Sequence, residues 1–140
     1  MKPKLHEAVH EIVLDIVNAS HAGDRRTEWD AHRRLESLCE LSEQEGDEHP
    51  FQWETLGDFT ADRAIAIRFY ERALRKARIA RLDEYVSSIC LAMAEAHLEL
   101  GDTSQAMTFA IQADDAAQNS SDLELRRSIS ELLLMLSSAG

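Results

Sequence analysis

The chain has 140 residues, with 15 Lys and Arg against 26 Asp and Glu, for a formal net charge of −11. That length suits one domain, 1–140, able to bury about two-thirds of its unfolded surface. At 44% hydrophobic and 29% charged it is neither a disordered acidic tail nor a membrane protein, and with 5 Gly and 2 Pro it has too few turn residues for an all-β chain.

The first predicted element covers residues 4–22. With about 100° per residue and Leu5 at zero, Val9, Ile12 and Ile16 fall within about 40° and form the core face. Val13, His6, Val17, His10 and His21 follow at about 80° to 160°, a mixed stripe suited to a half-exposed face. Acids at Glu7, Glu11 and Asp15 break up every apolar stretch, which leaves no signal-peptide core or membrane span there. The expected compartment is the cytoplasm.

Gly-Asp pairs at Gly23-Asp24, Gly57-Asp58 and Gly101-Asp102 each divide two helix-compatible stretches. Glycine can end one helix in the left-handed region and aspartate can cap the next. The pairs lie 34 and 44 residues apart, and a period near 34 is that of a two-helix repeat. Further helices are predicted at 25–44, 50–57, 60–82, 84–100, 103–118 and 122–137. Pro50 opens the third, and residues 60–82, free of Gly and Pro, read as one long helix that accounts for the longer interval. The acidic run from Glu43 to Glu48 reads as a solvated loop. Ser121 followed by Glu124 has capping-box spacing.

Small residues recur at helical spacing: Ala66, Tyr70, Ala73 and Ala77 in the fourth helix, then Ala106, Ala110 and Ala113 in the sixth. Met93, Met107 and Phe109 are placed to fill the gaps between closely approaching helices. A hairpin of this kind cannot cover both its apolar stripes alone, so neighbouring hairpins must stack.

The Leu100-Gly101-Asp102 turn followed by that alanine series resembles a tetratricopeptide repeat. So does Leu56-Gly57-Asp58 followed by Ala66, Tyr70 and Ala73. Residues 50–118 carry the resemblance best; residues 5–44 rest mainly on Gly23-Asp24 and its spacing, and the 44-residue interval is similar to the long-helix variety. The resemblance implies an all-α, right-handed α-solenoid of three hairpins, about 4–44, 50–82 and 84–118, closed by a capping helix at 122–137. It also implies an inner face lined by the first helix of each pair. The partner-binding candidates on that face are His10, Val13, Val17, His21, Phe51, Glu54, Thr55, Ser88, Leu91, Glu95, Leu98 and Glu99.

His6-Glu7-Ala8-Val9-His10 spells the H-E-x-x-H pattern, which on a helix sets two imidazoles one turn apart for zinc. Only five residues precede it and no downstream helix offers a third ligand, so it reads as a chance match, with His6 and His10 as weak metal candidates. No nucleophile has a motif around it and no Gly-rich phosphate loop is present, so no cofactor and no catalysis are expected; a zinc-dependent hydrolase is the distant alternative. Cys39 and Cys90 read as buried thiols, with a disulfide between them left open.

Charge is unevenly distributed. Residues 59–82 hold 7 bases and 2 acids, whereas the rest of the chain holds 8 bases and 24 acids. Arg68, Arg72 and Lys76, four apart, are read as a basic ridge on a solvated face or against an acidic partner. The acidic remainder opposes nucleic-acid binding and favours encounter with a basic protein. The functional expectation is a non-catalytic protein-binding module, most concretely an immunity protein neutralising a basic antibacterial toxin domain, with a secretion chaperone or peptide-binding adaptor as the alternative. The run Ile129 to Leu136, apolar on more than one side, suggests a homodimer through the C-terminal helix.

Overall fold

The computed structural model describes residues 3–47 and 49–139, so Met1, Lys2, Glu48 of the acidic loop and Gly140 lie outside the described residues. Seven helices follow in order: α1 (Pro3–Ala22), α2 (Arg25–Gln44), α3 (Phe51–Asp58), α4 (Arg63–Ile79), α5 (Asp83–Glu99), α6 (Thr103–Ala116) and α7 (Leu123–Ala139). No strand occurs among the described residues. Each helix packs on the next in the chain, and α3 also meets α5, which gives three hairpins and a closing helix.

Two of the three Gly-Asp pairs act as expected. Gly23 and Gly101 take φ of 70° and 80°, where an L side chain is strained. Asp24 then accepts from the Thr27 backbone N–H at 3.1 Å and Asp102 from that of Gln105 at 3.1 Å, satisfying N–H groups that the following helix leaves open. The third pair departs from the reading. Gly57 and Asp58 both lie inside α3, and the hairpin turns instead over residues 59–62, where Asp62 accepts from the Ile65 N–H at 3.1 Å.

Gly57 is a glycine for a different reason. A Cβ there would come within 2.6 Å of Tyr70 Cε1, so the ring packs directly on the bare backbone. The expected helix over 60–82 is likewise shorter, Arg63–Ile79. Its C-terminal turn is hidden from the sequence because Arg81, at φ 56°, occupies the left-handed position that glycine fills after α1, α2 and α5. The backbone bonding is the same: Leu82 N–H donates to the Ala77 carbonyl at 2.9 Å, as Asp24 does to Ala19 and Asp102 to His97, both at 2.9 Å. The cap of α7 also differs by one residue. Asp122, not Ser121, accepts from the Leu125 N–H, at 3.0 Å.

The core follows the small-residue stripes. Ala66, Ala73, Ala77, Ala106, Ala110 and Ala113 are fully buried, with Tyr70 and Met93 nearly so. One cluster runs from Leu5, Val9 and Ile16 through Leu35, Trp53, Leu56 and Ile89 to Ile129, joining all three hairpins and α7. A second gathers Ala94, Ala106 and Ala110 beneath Leu132 and Leu136. Cys39 and Cys90 are both buried and free.

The Gly57 contact generates a measurable expectation. Gly57→Ala inserts a methyl group into a packed ring and should destabilise the fold by about 2 kcal/mol. The same substitution in a Tyr70→Leu background should cost distinctly less, because the clashing atoms are gone. Denaturant midpoints of the four proteins in the cycle check this, and equal penalties in both backgrounds would refute the contact as the cause.

Candidate functional site

The inner-face candidates fall into two groups. On α3 and α5, Glu54, Ser88, Glu95, Leu98 and Glu99 line two hollows that face α7. One, of about 260 Å³, is walled by Glu54, Glu84, Tyr85, Ser88, Asp122 and Leu125. The other, of about 450 Å³, is walled by Glu95, Leu98, Glu99, Ser128, Glu131, Leu132 and Met135. Ser88, Leu91, Glu95 and Glu99 recur every three or four residues along α5, so both hollows lie along one flank of that helix. Half-buried Leu91 packs against both core clusters between them.

The α1 candidates are not among these lining residues. Val13 and Val17 are half-buried, while His10 and His21 are exposed. Half-buried Phe51 stacks on His6 with ring centroids 5.1 Å apart, which joins α1 to α3, and the Thr55 hydroxyl donates to the Phe51 carbonyl at 2.8 Å. Among the described residues, no three His, Cys, Asp or Glu side chains gather to hold a metal ion.

Electrostatics distinguish the trough. The Ser88 hydroxyl donates to Glu54 Oε2 at 2.7 Å, a bond between α3 and α5. Burial raises the Glu54 carboxyl to about 7, against the pull of that hydrogen bond. The Tyr70 hydroxyl donates to Asp58 Oδ1 at 2.6 Å; burial nonetheless raises Asp58, while Arg63 pulls it down. Glu95 is raised by burial first, then by the neighbouring charges of Glu99 and Asp58. Arg63 lies 3.7 Å from Glu99 at the edge of this group and also donates to the Thr60 carbonyl. The result is a cleft of crowded, partly desolvated carboxylates, which can receive cations and hydrogen-bond donors.

Nucleophilic chemistry has no comparable footing. Burial pushes the Cys39 thiol up to about 12 and that of Cys90 to about 11, so neither supplies thiolate at neutral pH. A further hollow, of about 550 Å³, contains none of the predicted inner-face residues; there Arg78 and Arg81 mix with Asp83, Glu84, Asp115, Asn119 and Ser120. Its opposed charges define no single ligand.

The basic ridge is not laid out as the spacing suggested. Lys76 is buried, with Nζ 2.9 Å from Glu43 Oε1. Arg72 lies over the Trp53 ring at 4.6 Å and 3.7 Å from Glu43 Oε2. Two of the three residues therefore tie α4 to α2 and α3, and Arg68 alone remains simply exposed. Asp58, Tyr85, Ser128 and Glu131 were missed as site residues. Asp58 was assigned to a turn, and nothing local in the sequence tells that the polar flank of α7 lies across from α5.

No family model matches the sequence, and no curated protein matches it. Solved structures do. The type III secretion translocator chaperone SycD of Yersinia enterocolitica, in an alternative dimer, superposes with a TM-score of 0.74 at 19% identity, covering 99% of this chain and 96% of SycD. SycD in complex with a peptide of the translocator YopD gives 0.63 at 18% identity, with the same coverage. PcrH from Pseudomonas aeruginosa gives 0.60 at 21% identity, covering 98% of this chain and 94% of PcrH. The likeness is one of fold. The chain is thus an all-α, tetratricopeptide-like helical-repeat protein, and no helix among its described residues is long and apolar enough to cross a membrane.

The raised Glu54 carboxyl makes stability depend on pH. Because its folded value lies above the unfolded one, the folded state holds the extra proton between about pH 4.5 and 7, and stability falls as pH rises through that window. Glu54→Gln, which keeps an acceptor for Ser88, should flatten that slope and stabilise the protein at pH 8 by up to about 3 kcal/mol. Melting curves of both proteins from pH 4 to 8 check it; parallel profiles would show that Glu54 is not held protonated.

Proposed function

We propose that this protein is a non-catalytic chaperone of the secretion type, holding a segment of a partner protein in the trough between the α3–α5 face and α7. The observation that carries the reading is a fold shared over nearly the full length of both chains with SycD, a translocator chaperone seen with a translocator peptide. The trough supports it, because half-buried Leu98 and buried Leu132 offer apolar contact beside carboxylates that can hold a peptide's N–H groups and cations. The toxin-neutralising role suggested by charge and size draws no support from these neighbours, one of which is seen with a translocator peptide.

A pull-down from the native host, followed by titration of tiled peptides from the recovered protein, tests the reading. One secreted partner should be retained at near one-to-one stoichiometry, and one or two of its peptides should bind. Glu95→Lys with Leu98→Glu should weaken that binding about tenfold or more, by removing an apolar contact and reversing charge. Failure to recover a stoichiometric partner, or binding indifferent to the double substitution, would count against the proposal.

We further propose that the protein self-associates through α7, whose Leu123 and Leu134 are exposed large hydrophobic residues outside the trough lining. Sedimentation at several concentrations should show a dimer that Leu134→Glu dissociates. A monomer at every concentration would remove this assignment and leave the chaperone reading in place.

A further inference from the structure

The outer face of α4 carries a second feature, separate from the trough. Ile65, Arg68, Arg72, Arg75 and Ile79 are spaced alternately by three and four residues, which places them in one line along a helix. All five are exposed, Ile65 at 44% and Ile79 at 75%. Two guanidinium groups, those of Arg68 and Arg75, thus face solvent between two exposed isoleucines, while that of Arg72 lies over Trp53 and toward Glu43. Among the described residues, Arg68 and Arg75 make no ion pair, while Arg72 shares Glu43 with Lys76.

Local structure accounts for only part of this pattern. Basic residues near a helix C-terminus complement its dipole, which covers Lys76 and Arg78 in the last turn of α4. Arg68 lies too far from that end to benefit, and the exposure of Ile79 gains nothing from it. Among the described residues Glu43 from α2 pairs with Arg72 and Lys76, and Glu71 stands on the flank of α4 itself, three residues after Arg68 and four before Arg75. On the α6 side, Arg78 donates to the neutral Gln112 at 2.5 Å.

We infer that this line is a docking seam for an acidic amphipathic helix of another protein. That helix would present carboxylates to Arg68 and Arg75 and apolar side chains to Ile65 and Ile79. Alternating spacing of three and four is the periodicity at which one helix meets another lying nearly parallel to it. Charge complementarity selects an acidic helix, and the rest of the chain narrows the choice. With 8 bases and 24 acids outside residues 59–82, the surrounding field repels the extended anionic surfaces of nucleic acid and lipid. A short acidic helix can occupy the seam without covering the acidic surroundings. The inference does not depend on what the trough holds.

The test uses an alanine-based helical peptide with Leu, Glu, Glu, Glu and Leu at the same alternating spacing. Its controls are a scrambled twin and a twin with Lys in place of Glu. Fluorescence anisotropy with the full-length protein should show saturable binding of the acidic peptide alone, weakening with salt. The affinity should fall about tenfold or more in Arg68→Glu/Arg75→Glu, and Ile79→Ser should lower it further. A photo-crosslinker on the peptide should label residues 65–79. Because Arg68 and Arg75 are exposed and unpaired among the described residues, the variant should melt as the parent does; if it does not, Arg68→Gln/Arg75→Gln serves instead. Equal binding of the scrambled peptide, indifference to both variants, or tighter binding of duplex DNA or phosphatidylserine vesicles would overturn the inference. So would a change in sedimenting mass on substitution of the arginines, which would make a second copy of the chain the occupant.

Discussion

A tyrosine ring lying on a glycine sets the middle of the molecule. Gly57 has no side chain, and the Tyr70 ring occupies the space that a Cβ would need. The ring draws α4 against α3, and its hydroxyl reaches one residue further to Asp58. That bond fixes one acidic side chain, and with α3 so placed Glu54 accepts from Ser88 on α5. The carboxylates of the trough are thus positioned by a packing contact made beside it. An eight-residue helix such as α3 has little stability of its own, so it depends on such contacts to hold its side chains in place.

Much of the architecture could be read from the sequence because its signals are local. Capping aspartates, left-handed glycines and alanines at helical spacing each act within a few residues, and they predicted seven helices and the buried stripes of α4 and α6. The errors arose where a residue's role is tertiary. Gly57-Asp58 has the same letters as the two true turns, but its glycine answers to Tyr70, twelve and thirteen residues from the pair. Arg81 turns the chain in a conformation no sequence rule assigns to arginine. Lys76 and Arg72 looked like surface because their charges did, yet Glu43 reaches them from α2 and the aliphatic stem of a lysine can be buried while its ammonium stays paired.

The candidate site was legible in part. The residues on α5 share one flank, and the resemblance to a tetratricopeptide repeat is what named that helix as a lining of the inner face. The opposite wall comes from α7, a helix whose placement depends on how Ile129, Leu132 and Leu136 cap the core. Sequence indicates that such a cap is needed, but not which polar residues of the capping helix then face α5. The positions of Ser128 and Glu131 across from Glu95 follow only from the packed structure.

Crowding carboxylates into a partly desolvated cleft works against folding. Glu54 and Glu95 are raised chiefly by burial, and each raised group marks a charge the folded state disfavours. The basic residues that could relieve the crowding are concentrated on α4, where Arg72 and Lys76 are turned to α2 and Arg68 and Arg75 face solvent. Among the ion pairs of the described residues, that of Arg63 with Glu99 is the one at the edge of the cleft. A partner that brings a cation or a hydrogen-bond donor to Glu54 or Glu95 therefore gains from relieving a cost the free protein already bears. On this argument the same burial that weakens the isolated fold at neutral pH strengthens its hold on a ligand, and binding should be linked to proton release from the trough.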